Sequence, residues 1–92
     1  MEIALKHHEM ELNADLQKLI GRRISEIRLK NNQTQQDIEF LTGMDSAEVS
    51  KYENGKRNLT LKTLMKFASA LQVHPRELFD FEFDIKNYRV EE

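Results

Sequence analysis

Apolar residues recur every three or four positions along most of the chain, the period of helices that bury one side. Leu16, Ile20, Ile24 and Ile27 form one such face and predict a first helix over residues 14–31, with Asn13 or Asp15 as its N-cap. Asn31-Asn32 would stop it, because Asn tolerates the left-handed backbone that follows a helix end. A second helix is expected over 34–42, capped by Thr34 with Asp37 completing a capping-box-like pair, Ile38 and Leu41 facing inward, and Gly43 ending it. Asp45 would cap a third over 46–53, with Val49 and Tyr52 inward, before Asn54-Gly55 breaks the chain. Thr60 or Asn58 would start a fourth over 61–72, with Leu61, Leu64, Phe67, Ala68 and Leu71 inward. Pro75 suits the first turn of a short fifth helix, where Leu78 and Phe79 close the core.

The two ends follow other patterns. In residues 1–13, Ile3, Leu5, Met10 and Leu12 are irregularly spaced, which fits an arm or a weak helix. In the tail, Phe79, Phe81, Phe83 and Ile85 alternate with Asp80, Glu82, Asp84 and Lys86, a strand pattern. No second strand is evident, so such a strand would pair with its counterpart in another subunit. The other reading is an acidic tail with one or two Phe tucked onto the core. The domain plan is thus an arm or weak helix over 1–13, a helical domain over 14–79 and an acidic tail over 80–92.

Composition narrows the function classes. The 92 residues are 39% hydrophobic and 33% charged, which supports one modest core. There is no Cys, which excludes disulfides and thiolate metal sites and fits a reducing, cytoplasmic setting. No apolar run is long enough for a membrane span, and the first residues lack the pattern of a signal peptide. The net charge of −2 hides an uneven distribution. Residues 16–79 hold eleven bases against seven acids, whereas 1–15 and 80–92 each carry an excess of three acids. Phosphate binding depends on such local clustering more than on the whole-chain charge. No catalytic set, Gly-rich phosphate loop or metal box stands out, so neither an enzyme nor a cofactor is expected. Adjacent His7 and His8 would diverge by about 100° on a helix, and His74 before Pro75 reads as structural.

The informative stretch is residues 34–58: two short helices about a Gly-centred turn, with β-branched Val49 wedging the second onto the first. At 100° per residue, positions 46, 47, 50, 51 and 54 share the outer face of the second. That helix has the width the DNA major groove admits. On Gly21, Arg23 and Ile24, then Thr34, Gln35 and Gly43, then Val49, Ser50, Glu53, Gly55, Lys56 and Arg57, then Leu61, Leu64, Ala68 and Leu71, and finally Glu77, Leu78 and Phe79, the chain resembles the lambda-repressor/Cro-like, xenobiotic-response-element-type family. The resemblance implies an all-α, five-helix lambda-repressor-like DNA-binding domain, to which the tail would add a C-terminal β-strand used in dimerisation.

By position, the resemblance gives Gln35 a phosphate contact and a brace to the 46–53 helix. Ser46, Ala47, Ser50 and Lys51 become base-edge candidates, and Asn54, Lys56 and Arg57 phosphate candidates, with Arg22 and Arg23 as weaker ones. Glu53 is expected to pair with a base such as Arg57 or Arg23 as a brace. Three positions depart from the pattern: Gln33 and Thr42 are more polar than is usual in the family, and where the family carries Ala, this chain has Glu39. Its carboxylate either escapes to solvent, pairs with Lys51, or opens the angle between the two helices. The implied function is a transcriptional repressor or autoregulator that binds double-stranded DNA at a near-palindromic operator as a homodimer. Two alternatives stand beside it. One is an antitoxin or a restriction-modification controller, whose partner would be a toxin or another regulator; the run from Arg57 to Leu64 resembles controllers. The other is a protein-interaction module of the same fold that has lost DNA binding.

Overall fold

A computed structural model describes residues 2–88, with side chains from Leu12 onward. Four α-helices follow one another, α1 (Glu2–Lys30), α2 (Gln35–Thr42), α3 (Ser46–Glu53) and α4 (Leu61–Leu71), and 3-10 turns form at Pro75–Phe79 and Ile85–Asn87. The all-α class therefore holds, with four α-helices and a 3-10 turn in place of the fifth helix. His74 shapes that turn, its Nδ1 accepting the Arg76 N–H at 3.1 Å, and Pro75 occupies the first position.

α1 begins at Glu2 and not near residue 14. No Gly or Pro precedes Gly21, and Glu, Ala, Leu, Met and Lys dominate the first twelve positions, so nothing interrupts the helix and the residues favour it. Asn13 and Asp15 thus lie inside α1 and cap nothing. The side chains of His7, His8 and Met10 lie outside the described residues.

Each helix stop follows its local chemistry. Asn32 (φ 57°) and Gln72 (φ 57°) take the left-handed conformation after α1 and α4. In both places the next residue's N–H bonds five residues back, Gln33 to Arg28 and Val73 to Ala68, each at 3.0 Å. Thr60 caps α4, its side chain accepting the Thr63 N–H at 3.1 Å.

The core draws from every helix: Ile20, Ile24 and Ile27 of α1, Ile38 of α2, Val49 of α3, Leu64, Phe67, Ala68 and Leu71 of α4, and Leu78 of the first 3-10 turn. Burying each of the larger side chains contributes roughly 1.5–3 kcal/mol. Tyr52 sits at the edge of this core, edge-on to Phe67 at 5.5 Å. Three residues expected inside are exposed instead: Leu41 (54%), Leu61 (82%) and Phe79 (49%). Leu61 shares the phase of Ala68 but is the first residue of α4, past the edge of the core, while Phe79 ends the 3-10 turn after buried Leu78 and turns its ring to Phe81.

The tail corrects the strand expectation: no strand forms among the described residues. Alternation here serves ring packing. Phe79–Phe81, Phe81–Phe83 and Phe83–Tyr88 lie at 6.5, 6.4 and 5.1 Å between centroids, and Phe81 leans on the core. The Tyr88 hydroxyl then reaches Asp15 of α1 at 2.7 Å, so the segment folds back on its own subunit.

Candidate nucleic-acid interface

α3 is eight residues long, too short to persist without tertiary support. Its support starts at the turn. Thr34 and Asp37 form the reciprocal capping box of α2: the Thr34 Oγ1 accepts the Asp37 N–H at 3.1 Å, and the Asp37 carboxylate accepts the Thr34 N–H at 2.8 Å. Gly43 (φ 79°) ends α2, and the Thr42 hydroxyl stitches the turn by donating to Ile38 and accepting from the Met44 N–H. Asp45 caps α3, accepting the Glu48 N–H at 2.9 Å. At the other end, the Gly55 N–H bonds Tyr52 and the Lys56 N–H bonds Lys51 at 2.8 Å, which closes the helix with Gly55 left-handed.

The strongest tie is one the sequence concealed. Glu53, buried, receives Arg28 through two hydrogen bonds, Nε at 2.7 Å and Nη2 at 3.1 Å. Its expected partners were Arg57 or Arg23. Arg28 wins because α1 crosses α3 there: a Cβ at Gly21 would overlap the Tyr52 and Glu53 carbonyls. Arg28 Nη1 also donates to the Gln33 carbonyl at 2.9 Å, and Gln35 Nε2 donates to Glu53 Oε1 at 3.1 Å. α1, the α1–α2 turn, α2 and α3 therefore share one polar knot. Arginine's planar fork matches a carboxylate in two places, and that chemistry was the available signal for Arg28.

With its inner side fixed, α3 turns Ser46, Ala47 and Lys51 to solvent, and Ser50 is half-exposed beside them. Asn54 is exposed, but its amide donates to the Ser50 carbonyl at 2.9 Å and to the Ser50 hydroxyl at 3.3 Å. Lys56 and Arg57 follow on the exposed loop. Ser46, Ala47, Lys51, Asn54, Lys56 and Arg57 are thus all exposed on α3 and the loop after it, with Ser50 half-exposed among them and Gln35 half-buried against Glu53. Glu39 is half-buried and makes no ion pair with Lys51.

The two weaker candidates on α1 differ. Arg23 is committed inside the fold, its Nε donating to the Glu77 carbonyl at 2.7 Å and its Nη2 lying 3.4 Å from the Glu77 carboxylate and 3.7 Å from that of Asp80. Arg22 is exposed and lines an open cleft with Lys18, Ser25, Glu53 and Asn54. Sequence reasoning passed over Lys18 and Ser25, because they take their meaning only from the loop packed against them.

Among the described residues, no helix is long and apolar enough to cross a membrane. The helix-turn-helix family HTH_3 matches over residues 24–78. Control protein C.BamHI of Bacillus amyloliquefaciens is 34% identical over 68 residues, covering 73% of this chain and 84% of that protein. The restriction-modification controller protein C.AhdI of Aeromonas hydrophila superposes with a TM-score of 0.66 at 42% identity, over 72% of this chain and 98% of that one. The controller protein C.Esp1396I, solved as a tetramer in complex with its natural 35-base-pair operator, gives 0.65 at 31% identity, over 71% of this chain and 86% of that one.

Proposed function

Because the chain belongs to the helix-turn-helix family, we propose that it is a sequence-specific DNA-binding transcriptional regulator of the restriction-modification controller kind. It binds double-stranded DNA as a homodimer, each copy placing α3 in a major groove. The two grooves lie about 34 Å apart on a near-palindromic site. Its role is regulatory and not catalytic.

One observation carries this reading. α3 is anchored on its inner side by fully buried Val49 and by the Arg28–Glu53 pair, while Ser46, Ala47 and Lys51 stand free on the other. A helix so held keeps its outer side chains in fixed register against base edges. Lys51 is long enough to reach guanine O6 or N7, and Ala47 offers a methyl contact to thymine. Gln35, Asn54, Lys56 and Arg57 hold phosphates on either side. Arg23, bound to Glu77, has no part in this set.

Selection of bound fragments from random DNA yields the operator. Lys51→Ala should then weaken operator binding by about 1–3 kcal/mol more than binding to mixed-sequence duplex, measured by fluorescence anisotropy. Equal losses on both would make Lys51 a phosphate contact. If the unaltered protein binds no duplex at low salt, the regulator reading gives way to a protein-interaction role for the same fold.

A further inference from the structure

The three arginines of α1 that could meet DNA have different fates. Arg28 is consumed by Glu53, and Arg23 by Glu77 and Asp80. Arg22 has no ion-pair partner among the described residues, nor does Lys18 one turn before it. Positions 18, 22 and 25 fall on one stripe of α1. That stripe forms one wall of an open cleft of about 350 Å³ whose other wall is the end of α3, Glu53 and Asn54.

Two features make this cleft cationic and fix its shape. The first is that its one acid is already spent. The Glu53 carboxylate accepts Arg28 Nε, Arg28 Nη2 and Gln35 Nε2, so Lys18 and Arg22 are left unneutralised. Glu26, four residues from Arg22, leans to Arg23 instead, at 3.9 Å. The second is that the loop after α3 is seated directly on α1. A Cβ at Gly55 would come within 2.6 Å of the Lys18 Cα, a backbone atom with nowhere to go. The distance between the Lys18–Arg22 stripe and the exposed Lys56–Arg57 loop is therefore set by the fold. Two cations, the Ser25 hydroxyl and an adjoining pair of loop cations suit one ligand chemistry, the phosphodiester anions of a nucleic-acid backbone.

We propose that Lys18, Arg22 and Ser25 form a backbone-phosphate site on α1, extending the DNA interface beyond the helix-turn-helix unit. It rests on the DNA-binding reading above. Because α1 reads no base edge, the site adds affinity without sequence preference and couples the unit to the strand bordering the groove.

The test is the salt dependence of binding to a mixed-sequence DNA duplex, followed by anisotropy across a potassium chloride series. Removing one cation–phosphate pairing lowers the slope of log K against log salt by about 0.9. The variant K18Q/R22Q should therefore lower the slope by about two, with equal loss of affinity on operator and mixed DNA, whereas K18R/R22K keeps the unaltered slope. Both residues are exposed, so the thermal midpoint should not move. An unchanged slope in K18Q/R22Q, with the unaltered protein binding normally, overturns the α1 site alone. Failure of the unaltered protein to bind duplex at low salt overturns the DNA-binding reading and the site with it.

Discussion

α3 and the tail from Asp80 to Tyr88 are of similar length, and neither would hold its shape in isolation. They are held by opposite means. α3 is tied at both termini by caps, on its inner side by Val49, and at its last turn by a carboxylate that gathers three donors from α1 and α2. The tail is tied by a chain of rings, Phe79 to Phe81 to Phe83 to Tyr88, and by a hydroxyl on Asp15. A buried polar knot permits one arrangement only, because any shift leaves a charge without its partner. Ring contacts on a half-exposed surface tolerate sliding. The element that must present side chains in register to a rigid duplex has the first kind of anchor.

The largest effect should come from cutting the knot. Glu53→Ala strands the Arg28 guanidinium in the core and should cost about 3–5 kcal/mol by urea unfolding. Arg28→Met combined with Glu53→Leu should recover part of that loss, because no charge is then left buried alone. If the single and double variants were equally unstable, packing and not the ion pair would be what holds α3.

The same contrast explains what was legible in the sequence. Helix periodicity located α2, α3 and α4 nearly to the residue, because Thr34, Asp45 and Thr60 are caps that act locally and Gly43 and Gly55 punctuate the chain. The outer face of α3 followed from phase alone. Arg28 did not, since its partner is 25 residues away and Arg reads as surface until a carboxylate is brought to it. Lys18 and Ser25 were hidden for a related reason: only the packing of the loop at Gly55 onto α1 gives them a facing wall. The alternation in the tail was real but ambiguous. A period of two records which side the rings face and not whether a backbone ladder forms, and here the same residues pack ring on ring and turn at Ile85–Asn87. The start of α1 was missed because Asn13 and Asp15 resemble caps, whereas the run before them lacks any residue that stops a helix.

An intermediate effect is expected where the tail meets the core. Phe81 is half-buried and packs against the central cluster. Phe81→Ala should cost about 1.5–2.5 kcal/mol, roughly half the value for a fully buried Phe. Near-UV circular dichroism should report the loss of ring packing, and mixed-sequence DNA binding should stay unchanged because α3 is not touched. A DNA-binding loss matching the stability loss would show that the two regions are coupled.

The smallest effect separates local from global anchoring. Tyr88→Phe keeps the ring stacked on Phe83 and deletes the hydroxyl that donates to Asp15. One hydrogen bond of this kind contributes about 0.5–1.5 kcal/mol. If the tail opens by itself, that energy belongs to the opening equilibrium of the tail and not to the unfolding of the bundle. Cleavage by chymotrypsin after Phe81 or Phe83 should then speed up by about 2- to 12-fold at low protease, where cleavage tracks the open population. The urea midpoint of the bundle should stay in place. A midpoint shift of the full 0.5–1.5 kcal/mol would instead mean that the tail and the bundle unfold together, and that the rings hold the C-terminal segment as firmly as the Arg28–Glu53 pair holds α3.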